Sequence, residues 1–112
     1  MAISISPNET VTVLRLSGNI GPEEMDALAC ILMDMVLENK TRVILNFHHV
    51  KHIALNAISK LADRNQRFRA LGGEIKLVGL IPYVSNLFKL VGAYSQFDVL
   101  AYEEEAAARF GK

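Results

Sequence analysis

The sequence predicts an α/β domain in which about four helices pack on a mixed sheet of four to five strands. The chain has 112 residues, a length that fits one small domain spanning residues 1–112. Apolar residues make up 51% of the chain, and a chain of this size buries about two-thirds of its surface on folding. The apolar spacing switches several times between about 2 and about 3.6 residues, the periods of strands and helices. We therefore expect the order β-β-α-β-α-β-α-β-α, with parallel crossovers.

Two strands are predicted at the amino end. Ile3 and Ile5 alternate with serines, which indicates a short edge strand, and residues 7–10 (PNET) supply a turn. A second strand is predicted over residues 11–16, and the Ser-Gly-Asn sequence at 17–19 is expected to end it.

The first helix is predicted from Pro22 to about Glu38. Proline suits the first turn of a helix, and the acidic residues that follow it suit the positive end of the helix dipole. The inner apolar stripe consists of Met25, Leu28, Ile31, Leu32 and Met35. The single cysteine, Cys30, lies mid-helix, where we expect a buried and inert thiol. A lone cysteine cannot form an internal disulfide, which favours a reducing, cytoplasmic setting.

The middle of the chain predicts a central strand and a long helix. Residues 42–47 (RVILNF) form a nearly continuous apolar run, which is typical of a strand buried on both faces. A loop is expected next, and apolar residues then recur at helical spacing over residues 57–71. Gly72 and Gly73 end this helix.

The last third alternates strand, helix, strand and helix, at residues 74–79, 83–91, 97–100 and 103–110. In the first of these helices an apolar stripe includes Val84 and Phe88, while Tyr83 and Leu90 lie outside it. A helix this apolar is either packed in the core or partly covered by another protein.

Charge and hydropathy exclude two broad classes of protein. Twelve Lys and Arg residues balance twelve Asp and Glu residues, which argues against a nucleic-acid binder that works through a basic field. No apolar run approaches the roughly 20 residues that a membrane span needs, so we expect no direct membrane insertion.

No motif in the chain predicts an enzyme. His48, His49 and His52 lie close together, but their spacing matches no zinc signature and no cysteine accompanies them. The chain has no G-x-S-x-G elbow, and its Gly-Gly pair follows a helix instead of opening one. The acidic clusters at 23–26 and 103–105 read as charged first turns of helices. We therefore expect no catalytic residue, no metal and no cofactor.

The long helix carries a stripe of cations. Lys60, Arg64 and Arg67 are spaced i, i+4 and i+7, which places them on one side of the helix, away from its apolar residues. This pattern fits an ordinary solvated face, and it also fits docking to an acidic partner.

Four segments carry a resemblance that covers essentially the whole chain. They are VTVLRLSGNI, RVILNFHHVKHI, GGEIKLVGLIPYVSNLFKLVG and FDVLAYEEEAAA. Residues 71–79 (LGGEIKLVG) are the most specific, followed by a short amphipathic helix. With these segments the chain resembles the STAS domain of bacterial anti-sigma factor antagonists. The resemblance implies a STAS-type fold and a non-enzymatic regulatory module that binds an anti-sigma factor, a histidine-kinase-like ATPase or another STAS protein.

The resemblance fails at the phosphorylation switch. In the family, the segment after the central strand reads Asp-Ser-Ser/Thr-Gly, and a partner kinase phosphorylates the first serine. Here Ala54, Leu55, Asn56 and Ala57 take those places. Leu55 has no hydroxyl, so the usual added negative charge is absent, and Asn56 is expected to cap the next helix. Ser59 carries the nearest hydroxyl. A phosphorylation site displaced to Ser59 is the less favoured alternative to the absence of phosphorylation.

A second departure lies within the central strand and the early loop. The aspartate that often ends the family's central strand is Asn46 in this chain. The early loop that commonly carries an acid reads Asn19-Ile20-Gly21.

The resemblance also predicts where a partner binds. The expected contact surface comprises Ala54, Leu55, Asn56, Ala57, Lys60, Arg64 and Arg67. If Leu55 is exposed it is an apolar anchor for that contact, and if it is buried the function lies elsewhere. The alternatives are a soluble STAS subunit of a transporter or lipid-transport complex, a ligand-sensing module, and a phosphocarrier that uses the histidines. Oligomeric state, including a homodimer, is left open.

Overall fold

The computed structural model of the protein describes residues 1–7 and 10–110. It contains one mixed five-stranded sheet and four α-helices, which confirms the predicted fold class and element order. The predicted turn at 7–10 includes Asn8 and Glu9, which lie outside the described residues.

The elements follow one another in the predicted order. Their bounds are β1 Ala2–Pro7, β2 Thr12–Ile20, α1 Pro22–Leu37, β3 Arg42–Ile53, α2 Leu55–Ala70, β4 Glu74–Val78, α3 Pro82–Leu90, a 3-10 turn Tyr94–Gln96, β5 Val99–Leu100 and α4 Glu103–Phe110. The 3-10 turn was not predicted from the sequence. A single turn of this kind has no apolar period of its own to reveal it.

The strands lie side by side in chain order, β1-β2-β3-β4-β5. β1 is antiparallel to β2, and the three remaining pairings are parallel. One face of the sheet packs against α1, α2 and α3, whose apolar side chains form the main core. The other face is covered by α4, with a smaller cluster made by Val11, Ile44, Val78 and Ala106.

Two strands are longer than predicted. β2 continues through the Ser-Gly-Asn sequence to Ile20, and β3 continues six residues past Phe47 to Ile53. The β2–β3 pairing shifts register twice, and at each shift β3 contains one more residue than β2. Because of these bulges Phe47, Val50 and Ile53 all reach the main core although their spacing is three instead of two. Because apolar residues in this part of β3 do not alternate with a period of two, the sequence pattern predicts a loop here.

Cys30 corrects another expectation. α1 buries Met25, Leu28, Leu32 and Met35, as its apolar stripe predicts, but Cys30 lies on the exposed side of the helix. Cys30 is two residues from both Leu28 and Leu32, which places it about 200° of helix rotation from each of them. The thiol is therefore accessible to solvent.

Ion pairs at both ends of α4 add to the apolar contacts that hold this helix on the sheet. At its amino end the Glu103 carboxylate accepts two hydrogen bonds from the Arg15 guanidinium, both 2.9 Å, and one from Asn46 Nδ2 at 2.6 Å. At its other end Arg109 donates to both oxygens of Asp98, at 2.9 and 3.1 Å. Asp98 also accepts a 2.9 Å hydrogen bond from the buried Lys76.

These contacts make the protein's stability depend on acid pH. Hydrogen bonds from Arg15, partly opposed by burial, lower the pKa of Glu103. Burial raises the pKa of Asp98, but the hydrogen bonds and charges of Lys76 and Arg109 outweigh it, so this pKa is also lowered. A carboxyl whose pKa is lower in the folded state stabilises that state above its unfolded pKa of about 4, and this contribution disappears as the pH falls through the folded value.

We therefore expect the free energy of unfolding to fall below about pH 5. The double variant Glu103→Gln/Asp98→Asn is expected to be less stable at pH 7 by about 2–3 kcal/mol, because it loses charge-assisted hydrogen bonds. It is also expected to show a flatter pH dependence between about pH 5 and pH 2. Urea unfolding followed by circular dichroism across this range measures both effects, and an unchanged pH slope would contradict the assignment.

Candidate functional site

The candidate site lies where β3 ends and α2 begins, at the carboxyl ends of the parallel strands. The Ala54 N–H donates a 2.8 Å hydrogen bond to the Ile20 carbonyl, which fastens this junction to the end of β2. Ala54 is the N-cap residue of α2, and no side chain caps the helix. The prediction that Asn56 caps it is therefore wrong, because α2 begins at Leu55 and Asn56 is its second residue.

Leu55 occupies an exposed position at the amino end of α2. Its side chain is 43% exposed, and Asn56 and Ser59 are also exposed. Ala57, in contrast, is 1% exposed and packs in the main core, so its side chain offers no surface to a partner. Ala54 is half-buried against the same core. The apolar contact available at this junction is consequently Leu55.

The predicted cations do not lie beside Leu55. With about 100° of rotation per helical residue, Lys60, Arg64 and Arg67 are about 140°, 180° and 120° around the α2 axis from Leu55. Arg64 is therefore on the opposite flank of the helix. Leu55 and the cations can be contacted together only by a partner that covers the full exposed face of α2.

The cations line a groove between α1 and α2. This groove has a volume of about 330 Å³ and is lined by Asp26, Ala29, Lys60, Asp63, Arg64 and Arg67. Lys60 Nζ lies 3.4 Å from Asp26 Oδ1, so α1 supplies an acid that opposes the stripe. The sequence pattern of α2 alone did not reveal this acid, because Asp26 belongs to another helix.

The three histidines project from the extended part of β3 and not from a loop. His48 and His49 have ring centroids 5.9 Å apart, whereas His52 stacks on Tyr83 of α3 with centroids 5.7 Å apart. His52 Nδ1 and the Tyr83 hydroxyl are 2.9 Å apart and share a hydrogen bond. Within residues 1–7 and 10–110, no three His, Cys, Asp or Glu side chains are grouped so that they could hold a metal ion.

The pair His52–Tyr83 joins the candidate site to α3. Tyr83 is 51% exposed and Leu90 is also exposed, while Val84 and Phe88 are buried, as the apolar stripe of α3 predicts. The contact between His52 and Tyr83 was not predicted from the sequence. It depends on the bulges that carry β3 as far as Ile53.

Asn46 links the bulged part of β3 to α4. Its Oδ1 accepts a 2.8 Å hydrogen bond from the backbone N–H of His48, and its Nδ2 donates to Glu103. The amide therefore satisfies a backbone group at the first bulge and fixes the amino end of α4 at the same time. No charged side chain is able to do both, because one half of the interaction requires an acceptor and the other a donor.

Comparisons with known proteins agree with this architecture. The family profile for the STAS domain matches residues 2–108. The unphosphorylated form of the anti-sigma factor antagonist SpoIIAA superposes with a TM-score of 0.82 at 22% identity, over 97% of this chain and 96% of that one. A structure described as a putative anti-sigma factor antagonist from Thermotoga maritima gives a TM-score of 0.89 at 14% identity, over 98% and 95% of the two chains.

A transporter also contains a similar domain. The murine anion transporter Solute Carrier 26 family member A9 matches with a TM-score of 0.72 at 15% identity. The match covers 89% of this chain but 17% of the transporter. Within the residues that the structure describes, no helix of this protein is long and apolar enough to cross a membrane.

Proposed function

Because the chain belongs to the STAS domain family, we propose that it is a non-enzymatic, protein-binding regulator of the anti-sigma factor antagonist type. Its partner is an anti-sigma factor, a histidine-kinase-like ATPase or another STAS protein. The binding does not depend on phosphorylation of residues 54–57, where β3 ends and α2 begins. The observation that carries this proposal is the exposed Leu55 at the first position of α2.

The chemistry of Leu55 supports a constitutive contact. A leucine cannot accept a phosphoryl group, so this position never gains the nearly two negative charges of a phosphoserine. Leu55 is an apolar residue that is 43% exposed at the start of a helix, so its burial by a partner contributes favourably to the free energy of binding. Burial of Leu55 by a partner therefore favours association whether or not the partner kinase is active.

Charge supports the choice of partner. Residues 39–62, which include β3, the start of α2 and Lys60, contain no acidic residue, and Arg67 lies farther along the exposed face of α2. A partner surface with carboxylates around an apolar depression complements this region, and such complementarity raises the association rate. Lys60, Arg64 and Arg67 all line the groove between α1 and α2, so these cations contribute only if the partner also covers that groove.

Substitution of Leu55 tests the proposal. We expect Leu55→Asp to weaken binding of the partner by about tenfold or more, because it removes an apolar anchor and adds a charge. Leu37→Asp is the matched control, since Leu37 is an exposed leucine at the distant end of α1, and we expect it to change the affinity by less than about twofold. Affinities are measured by calorimetry with the purified partner, with and without ATP.

The partner is first identified by capture with the tagged full chain from its native cells, followed by mass spectrometry of partner and bait. Recovery of an ATPase-type anti-sigma factor with the bait unmodified supports the proposal. Recovery of transporter or lipid-transport subunits would favour the alternative role that the transporter's similar domain suggests. Phosphate on Ser59 or on a histidine of the bait would contradict phosphorylation-independent binding.

A further inference from the structure

A crevice lies at the one place among the described elements where consecutive helices leave the sheet toward opposite faces. The helices after β2, β3 and β4 all pack on the main-core face, whereas α4, after β5, packs on the other face. The connections that follow β4 and β5 therefore run to opposite faces of the sheet, which leaves a gap between the ends of these two strands. In open α/β sheets, ligands bind in crevices outside the carboxyl ends of the strands. The strand order of this sheet does not reverse, so the crevice arises only because α3 and α4 lie on opposite faces.

The crevice has a measurable cavity and a mixed lining. Its volume is about 280 Å³, close to the lower end of the range of small-molecule sites. Aliphatic side chains of the β4–α3 connection and of β5 form one part of it, namely Leu80, Ile81, Val99 and Leu100. His48, Ser85, Tyr94 and Tyr102 supply the polar groups.

The polar groups are available for a ligand. Within residues 1–7 and 10–110, neither the His48 ring nor the hydroxyls of Ser85, Tyr94 and Tyr102 make a hydrogen bond to another residue. These groups come from four different elements or connections, so the fold brings them together. Each hydroxyl can both donate and accept, and the neutral imidazole does the same through its two nitrogens.

Gly79 fixes how His48 sits in the crevice. Gly79 has a φ of +72°, and a Cβ at this position would lie 2.8 Å from His48 Nδ1. The absent side chain is what allows the imidazole to lie over the end of β4. The Gly79 N–H is already bonded to the Leu100 carbonyl at 3.0 Å, which keeps the two sides of the crevice at a fixed separation.

Charge limits the class of ligand. The lining contains no Lys, Arg, Asp or Glu, but Glu104 and Glu105 follow closely after Tyr102, and Glu105 Oε1 accepts a 3.2 Å hydrogen bond from the Tyr102 N–H. Lys89 Nζ lies 4.8 Å from the Tyr94 ring centroid, so an anion would meet one cation against the two acids Glu104 and Glu105, and the net charge disfavours it. Tyr102 and the face of Tyr94 that lies opposite Lys89 are available for aromatic stacking.

We infer that this crevice is a binding site for a small, flat, uncharged heteroaromatic molecule. The ring lies between the aliphatic wall and the tyrosines, and its polar atoms bond to His48, Ser85 and the tyrosine hydroxyls. The site is separate from Leu55, so its test does not depend on the proposed partner.

Nicotinamide, nicotinate and cyclohexanecarboxamide are the probes, because the second adds a negative charge and the third removes the aromatic ring. We expect nicotinamide to bind with a Kd of about 1–10 mM, a range normal for so small a molecule, and the other two at least about fivefold more weakly. Titrations of the full chain are followed by ¹H–¹⁵N correlation spectra, with the largest shifts expected at Gly79, Leu100 and Ala101.

Two variants and a control complete the test. Ser85→Ala and Tyr102→Ala are each expected to weaken nicotinamide binding by about threefold or more, since each removes a hydrogen bond or a stacking face. Tyr83→Ala is the control, because Tyr83 is an exposed tyrosine outside the crevice, and it is expected to leave nicotinamide binding unchanged. Absence of shifts up to about 20 mM nicotinamide, shifts centred on other residues, or equal binding of the three probes would overturn the inference.

Discussion

Replacing Asn46 with aspartate is expected to lower the free energy of unfolding by about 2–4 kcal/mol at pH 7. Asn46 Nδ2 donates to Glu103 Oε2 over 2.6 Å, and Arg15 already supplies two hydrogen bonds to that carboxylate. In Asn46→Asp this donor becomes a second carboxylate oxygen at the same place. Two like charges at this distance cannot both stay ionised without a large cost.

A double variant separates repulsion from loss of packing. Asn46→Asp/Glu103→Gln restores a donor opposite the new carboxylate, and we expect it to recover at least about half of the lost stability. The bond from the His48 N–H to the side chain of residue 46 is kept throughout, because aspartate also accepts. Urea unfolding of the wild type and the three variants at pH 7 gives the coupling free energy, and additive effects of the two substitutions would contradict this explanation.

The hydrogen bond between Asn46 and Glu103 gives a physical reason for a departure from the family pattern. The resemblance to anti-sigma factor antagonists implies an aspartate at the position of Asn46, and the resemblance alone leaves the amide unexplained. In this chain Glu103 of α4 supplies a carboxylate at the same point. One acid and one amide satisfy Arg15 and the His48 N–H together, whereas two acids would not.

The second large effect is expected at Gly73, which precedes β4. A Cβ at this position would overlap the backbone carbonyl oxygen of Thr41, which precedes β3. The Glu74 N–H donates to that same carbonyl at 2.8 Å, so the two segments are tied together where they would have to separate. Gly73→Ala is therefore expected to destabilise the protein by about 3 kcal/mol or more.

Gly72 provides a neighbouring control with a different physical basis. Its φ is +87°, but a Cβ there would meet nothing within 4 Å. Gly72→Ala is expected to cost only about 1 kcal/mol, the price of a left-handed conformation for an L-residue. Thermal unfolding of both variants measures the difference, and equal losses would mean that the close approach to Thr41 is not what requires glycine at 73.

The regular parts of the fold were predictable because they follow simple periods. The stripe of Met25, Leu28, Leu32 and Met35 places α1 correctly, and Gly72-Gly73 ends α2 within one residue of the predicted position. The end of β3 was not predictable in this way. Its two bulges put Phe47, Val50 and Ile53 on one face at a spacing of three, which is neither the period of a strand nor that of a helix.

The candidate site was predicted in position but not in arrangement. The resemblance located Leu55 at the start of the long helix, and the structure leaves it exposed. The relation of Leu55 to Arg64 depends on where α2 begins, and the expected cap at Asn56 placed that start too late. The pairs Lys60–Asp26 and His52–Tyr83 join residues more than 30 positions apart, so no local pattern contains them.

The chain-order arrangement of the strands bears on how the protein is made. Each strand after β1 pairs with the strand synthesised immediately before it. On a ribosome, where the amino end emerges first, every new strand finds its neighbour already in place. No strand has to wait for a later segment or displace an earlier pairing, so the sheet is able to grow in the direction of translation, and α4 covers its second face after β5 has formed.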